Sequence, residues 1–285
     1  MERQAQSNLR FAQPRIYPAY RTLDIQYEEE YELSWYFMHP KPRACCTQEL
    51  VCEIKDWFTT VINAKTEKPR YVALASKAPG IFNLGGDLER TCLLIREQDR
   101  NGLLGYAMAC VDTLLLNYSG LGQNITTISL VQGDALGGGL EYALSSHVLI
   151  AERGSKMGFP EVLFNLFPGV GAFSLLSRKI GAKAAEEMIL GGRLHTAEEM
   201  HSIGVVDILA EEGQGEAAVY NYISEEERSC NAIRAFRQAK KCTNPVTFEE
   251  LESVAKIWAD AALQLRDKDL RMIERLIKRQ SARVE

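Results

Sequence analysis

Apolar residues recur along this chain with two periods, and the change from one to the other marks its elements. Between residues 23 and 38, Tyr27, Tyr31, Leu33, Trp35 and Phe37 alternate with polar neighbours, which predicts two strands joined near the acidic run at 28–30. From 47 to 64, Leu50, Val51, Ile54, Trp57, Phe58 and Val61 keep helical spacing. A predicted strand at 71–75 runs into a glycine-bearing loop, and one long helical pattern covers 88–117. The strand expected at 127–131 leads to a second glycine loop and a short helix. A third buried strand is expected at 148–151, and after Ala172 the pattern is nearly all helical.

Strands interleaved with helices early and helices alone late predict an α/β core with a helical C-terminal region. The boundary is placed near Ile208, so that 1–208 carries the site and 209–285 serves packing and oligomerisation. In that tail Val254, Ile257, Trp258, Ala261 and Leu265 make one stripe, and Leu270, Ile273, Leu276 and Ile277 another. Such stripes suit a core, a subunit interface or a ligand wall. No period of 20 to 50 residues recurs, which excludes solenoids and propellers.

Composition narrows the class of function. Hydrophobic residues make up 46% and charged residues 25%, and the apolar runs are far shorter than the roughly 20 residues of a membrane span. The first residues show no basic stretch followed by an apolar core, so a cytoplasmic enzyme is expected. Seven cysteines (Cys45, Cys46, Cys52, Cys92, Cys110, Cys230 and Cys242) are odd in number and include no C-x-x-C pair, which argues against a disulfide framework or a zinc site. His195 and His201 flank Glu198 and Glu199 without the H-E-x-x-H spacing, so no metal is expected. A net charge of -5 gives no general attraction to nucleic acid.

Three stretches carry chemistry. In the first, Gly85 and Gly86 separate a buried strand from a helix, and Asp87 is placed to cap that helix. In the second, a strand ends in Gly137, Gly138 and Gly139, which open the helix bearing Glu141. Backbone amides at such a helix start face an anion. A nucleotide phosphate is disfavoured, because the segment lacks both G-x-x-x-x-G-K-[ST] and G-x-G-x-x-G. A thioester carbonyl that gains charge as its α-proton leaves is the better fit. In the third, Glu161 follows Pro160 in an apolar run, where burial would raise its pKa toward neutral pH.

In order and spacing, the G-G-D-L loop at 85–88, the A-L-G-G-G-x-E segment at 135–141 and F-P-E followed by P-G-x-G at 159–171 resemble the crotonase, or enoyl-CoA hydratase, superfamily. The resemblance implies a spiral of ββα units, oxyanion-hole amides on Gly86 and Gly138, and paired catalytic glutamates at Glu141 and Glu161. A closer likeness spans nearly the whole chain. F-N-L-G-G-D-L at 82–88, L-I-R-E-x-D-R at 94–100, L-V-Q-G-D-A-L-G-G-G at 130–139, P-E-V-L-F-N-L-F-P-G at 160–169 and I-W-A-D-A-A-L-Q-L at 257–265 resemble the diffusible signal factor synthases, the RpfF group of that superfamily.

That likeness implies dehydration of a 3-hydroxyacyl chain on acyl carrier protein, then thioester cleavage to release a cis-2-unsaturated fatty acid used in quorum sensing. It implies no cofactor beyond the carrier's phosphopantetheine arm, a regulatory sensor protein as a further partner, and a homotrimer or dimer of trimers. Gly85 and Gly137 would shape the thioester site, and Leu136, Val170, Ala172, Trp258 and Leu276 would wall the acyl slot. Running the hydratase roles in reverse makes Glu161 the base and Glu141 the acid, although the pair could share both tasks. Where many CoA-using relatives carry a lysine after the first glycine loop, this chain has Glu89, which would disfavour the CoA phosphates. Arg10, Arg15, Lys41, Arg43, Arg96 and Arg100 would offer basic ground to an acidic carrier. With no G-x-S-x-G elbow, water activated by the carboxylates would serve the thioesterase step. The alternatives are a plain enoyl-CoA hydratase and a non-catalytic acyl-binding module.

Overall fold

The computed structural model describes residues 19–65 and 68–281, with side chains described as far as Lys278. Arg10 and Arg15 lie outside the described residues. Strands β1 (Leu23–Glu28) and β2 (Leu33–Met38) form the expected antiparallel hairpin, with Leu23 opposite Met38. Helix α1 (Gln48–Asn63) is started by Thr47, whose side chain accepts from the Leu50 amide. Strand β3 (Tyr71–Ser76) runs parallel to β2.

Three ββα units follow. The first is β3, β4 (Ile81–Asn83) and α2 (Leu88–Arg96), with α3 (Arg100–Tyr118) appended. The second is β5 (Thr126–Val131), β6 (Asp134–Leu136) and α4 (Gly138–Leu144). The third is β7 (Val148–Glu152), β8 (Lys156–Gly158), a 3₁₀ turn at Pro160–Phe164 and α5 (Ala172–Ile180). Beyond lie α6 (Ala182–Gly191), β9 (Leu194–Thr196), α7 (Ala197–Ser202), β10 (Ile208–Ala210) and helices α8 (Gly215–Arg228), α9 (Cys230–Thr243), α10 (Phe248–Ala262) and α11 (Asp267–Ser281). The long strands assemble as β1-β2-β3-β5-β7-β10, parallel from β2 onward, and the short ones as β4-β6-β8-β9. This is the crotonase-like α/β spiral with a helical C-terminal region.

The parallel strands read as continuous apolar runs because both sheet faces are covered. Val72, Leu74 and Leu149 face a cluster containing Trp57 and Phe58 of α1, while Ala73, Ile128, Leu130 and Ile150 face Val219 and Ile223 of α8. Ile208 opens β10, which pairs with β7, so the purely helical tail begins after Ala210.

Two expectations are corrected. The helix predicted at 88–117 is two helices. Gln98 takes a left-handed φ of 53°, which ends the first helix, and the Asp99 side chain starts the next by accepting a hydrogen bond from the Gly102 amide (2.8 Å). The predicted stripe on α10 is rotated. Its buried face is Leu251, Ala255, Ala259 and Ala262, while Ile257 is 61% exposed. Alanines carry that face because α10 packs closely on α3, and a hydrophobicity pattern gives small residues little weight. The three-residue strands β4, β6, β8, β9 and β10 are too short to show a period. Among the described residues no helix is long and apolar enough to cross a membrane.

Candidate active site

Two backbone amides are aimed by their neighbours. The Cys46 amide donates to the Gly85 carbonyl (2.7 Å), and because a trans peptide sets its C=O and N–H on opposite sides, the Gly86 N–H points away from Cys46. The Gly137 carbonyl accepts from the Glu141 amide (3.0 Å), which likewise turns the Gly138 N–H outward at the start of α4. The two loops touch, since a Cβ built on Gly138 would lie 3.4 Å from the Gly86 nitrogen. Neither amide donates to an acceptor among the described residues, and both glycines line the same cavity. Gly85 has a left-handed φ of 95°, and a side chain there would meet the Leu136 carbonyl at 2.9 Å.

Glu141 and Glu161 come together at this point from different elements. Glu141, on the first turn of α4, is 2% exposed, and its Oε1 accepts hydrogen bonds from the amides of Val170 (2.8 Å), Gly171 (2.7 Å) and Ala172 (2.9 Å). Burial pushes its pKa up and the three amides pull it back, leaving it above the usual carboxylate range. Glu161, in the 3₁₀ turn after Pro160, lines the cavity, and its Oε2 is buried without a partner among the described residues. Burial first, and then the nearby Glu141 charge, push its pKa up to about 8. With Glu161 near 8 the pair retains a proton at neutral pH, and three amides are in place to hold the Glu141 anion. Gly137 makes room for this arrangement, because a Cβ there would sit 2.1 Å from Glu161 Oε1.

The cavity holds about 960 Å³, counting its open mouth. Of the predicted walls, Val170 and Trp258 line it. Leu136, Ala172 and Leu276 do not. Leu136 packs against Ala44, Ile81 and Leu84, Leu276 joins the cluster that α11 forms on α2, and Ala172 contributes its backbone amide to Glu141 instead. Helices α1 and α3 supply much of the remaining wall, including Leu50, Ile54, Ala107, Cys110 and Leu114. Cys46 and Cys110 stay neutral there, since burial raises both thiols, Cys110 to about 12.

Two residues support the loop, Tyr106 without a sequence signal and Arg43 in a role other than the carrier contact expected of it. The fully enclosed Tyr106 hydroxyl accepts from the Asp87 amide (2.9 Å) and donates to the Cys46 carbonyl (2.5 Å), tying the oxyanion loop to the start of α1. Arg43 pairs with Asp87 (3.2 Å) and with Glu89 (2.7 Å). The expected basic ground is thus largely neutralised, as Arg96 pairs with Glu274 and Arg100 with Asp260. Lys41 is exposed.

Residues 36–278 match the family described as enoyl-CoA hydratase/isomerase. Curated relatives include the mitochondrial methylglutaconyl-CoA hydratases of Mus musculus and Homo sapiens, each 30% identical over 154 residues. The matched part is 54% of this chain and 47% and 43% of those proteins. The chain spans about half the length of the curated relatives it matches. Among solved structures, an enoyl-CoA hydratase from Bacillus halodurans has a similar fold, with TM-score 0.76 at 21% identity over 89% of this chain and 99% of that one. Pseudomonas aeruginosa DspI has TM-score 0.64 at 21% identity over 82% and 93%. Because the family match runs from β2 into α11 and encloses both outward amides and both glutamates, this chain belongs to the enoyl-CoA hydratase/isomerase family, the crotonases.

Proposed function

We propose that this chain is a diffusible signal factor synthase, a dehydratase acting on 3-hydroxyacyl thioesters of acyl carrier protein that then hydrolyses the cis-2-enoyl thioester. The observation that carries this reading is the pairing of Glu141 with Glu161 beside two unengaged amides in a long apolar cavity. With the thioester carbonyl on the amides of Gly86 and Gly138, negative charge that develops at its oxygen is stabilised as the C2 proton leaves. The reacting form carries one proton, on Glu141, and leaves Glu161 as the carboxylate that takes the C2 proton. Glu141 gives its proton to the departing 3-hydroxyl, which leaves as water, and its anion is then held by three amides. Water then adds at the carbonyl carbon under the same carboxylates, and the carrier thiol leaves as the fatty acid is freed. Cys46 and Cys110, held neutral, take no part as nucleophiles.

The carrier preference rests on Glu89, where a nucleotide phosphate would meet a carboxylate tied to Arg43 rather than a free ammonium. The salt bridge makes the repulsion weaker than a lone carboxylate would give. Exposed Leu93, Leu163 and Ile257 offer apolar ground for assembly as a homotrimer or pair of trimers. A regulatory sensor protein belongs to the same reading. The test is to supply matched 3-hydroxyacyl thioesters of acyl carrier protein and of CoA and to follow products by mass spectrometry. At least a tenfold higher kcat/KM on the carrier and accumulation of free unsaturated acid are expected. Equal use of both carriers with no free acid would instead identify a plain enoyl-CoA hydratase.

Trp258 gives a second test. It is half-buried, lines the cavity and packs so closely on Gly169 that a Cβ there would lie 2.2 Å from its ring. Trp258→Ala is expected to cost about 2–3 kcal/mol of stability, below the 3–5 typical of a wholly buried tryptophan. It should also shift the product distribution toward longer or branched chains. Destabilisation with an unchanged distribution would leave Trp258 a packing residue only.

A further inference from the structure

A second cavity lies at the far ends of the helices that build the active site. Both α4 and α5 begin at the acid pair, and their C-terminal ends, about 10–13 Å away at 1.5 Å per residue, deliver Ser145, Arg178 and Lys179 to a cavity of about 630 Å³, open mouth included. Helix α9, which buries no residue completely, lies along it. The lining holds Arg178, Lys179, Arg237, Lys240 and Lys241, and no carboxylate.

Three of these cations are matched from outside the cavity, Arg178 by Glu250, Lys179 by Asp207 and Arg237 by Glu226. Lys240 and Lys241 have no acidic partner among the described residues, and Lys241 donates only to the Ser119 carbonyl (2.9 Å). A smaller cavity of about 320 Å³ shares His147, Arg237 and Lys241 with the first and adds Arg234, whose Nε is buried without an acceptor. His147 Nδ1 accepts from the Thr127 amide (3.1 Å), which puts the ring proton on Nε2, with no partner among the described residues. Burial, followed by Arg237, Lys241 and Lys240, holds this imidazole neutral, at about 3. The site therefore offers a neutral N–H donor beside Lys240 and Lys241, which stand uncompensated among the described residues.

We propose that this cavity is a second ligand site, which takes a phosphate group, free or as a monoester, on Lys240, Lys241 and the Nε2–H of His147. Two uncompensated cations match a charge near −2 better than a single carboxylate would, and a phosphate presents enough oxygens to accept from all three donors. Binding here relieves the mutual repulsion of cations that the fold holds side by side.

The test is calorimetric titration of the full chain with inorganic phosphate and, separately, with glycerol phosphate, at an ionic strength fixed by chloride. Saturable binding of at least one, at one site per chain, is expected, and the tighter of the two identifies the form recognised. Lys240→Gln/Lys241→Gln should weaken it by at least about 100-fold, since losing one charge-assisted contact costs about tenfold or more. Lys240→Gln alone makes a gentler variant, because its side chain holds no ion pair in the fold, and a measurable loss is expected there too. No binding beyond that of chloride, or equal binding by wild type and both variants, would overturn the proposal. So would a change of oligomeric mass in the variants without phosphate binding to the wild type, which would make this face a contact between chains.

Discussion

Glu161→Gln and Glu141→Gln are each expected to lower the dehydration kcat by about 100- to 10,000-fold, the range that positioned acids and bases contribute. Glutamine is the informative replacement. At 141 its oxygen still accepts from the amides of Val170, Gly171 and Ala172, whereas alanine would strand three buried donors and confuse catalysis with folding. The reaction needs one proton on the pair, so wild-type kcat/KM should fall as pH rises through about 8, where the pair loses it. Stability carries the same signature. Glu161 has its pKa raised from 4.5, so between 4.5 and about 8 the native state holds more protons than the unfolded chain, and stability falls as pH rises. Glu161→Gln should remove that slope as well as the activity. Steady-state kinetics and thermal melts from pH 5 to 9 check both, and turnover within tenfold of wild type in either variant would sink the two-carboxylate mechanism.

Gly137→Ala is expected to lose about 100- to 1,000-fold in kcat, comparable with removal of an oxyanion donor, while the protein remains folded. Two effects combine. The added methyl would overlap Glu161 Oε1, forcing the carboxylate from its place, and the φ of 50° is one that alanine adopts only under strain of about 1–2 kcal/mol. Gly154 separates the two, because its φ is 84° and a Cβ there meets nothing within 4 Å. Gly154→Ala should therefore lower Tm without changing kcat. Equal activity losses in both variants would mean that backbone strain, and not displacement of Glu161, accounts for the effect.

The glycine loops and both carboxylates were legible in the chain because they depend on local chemistry. A left-handed turn favours glycine, and a carboxylate next to Pro160 in an apolar run stands out without a partner in view. The acyl walls were not legible in the same way. Leu50 and Ile54 of α1 keep helical spacing whether they fill a core or face a cavity, and the alanine face of α10 has no contrast to read. Leu136 and Leu276 were expected to reach the slot, but their apolar character is equally well used beside Ile81 and against α2.

By itself, then, the sequence determined the alternation of strands and helices, the two glycine turns that present backbone amides, and the presence of Glu141 and Glu161. Each of these follows from backbone freedom or side-chain type within a few residues. Only the tertiary structure decided that Glu161 Oε2 finds no partner among the described residues beside a Glu141 held by three amides, that Tyr106 ties Cys46 to Asp87, and that Arg100 is matched by Asp260, 160 residues away. Desolvation and charge pairing depend on which distant segments meet in space, and periodicity along the chain carries no information about that meeting.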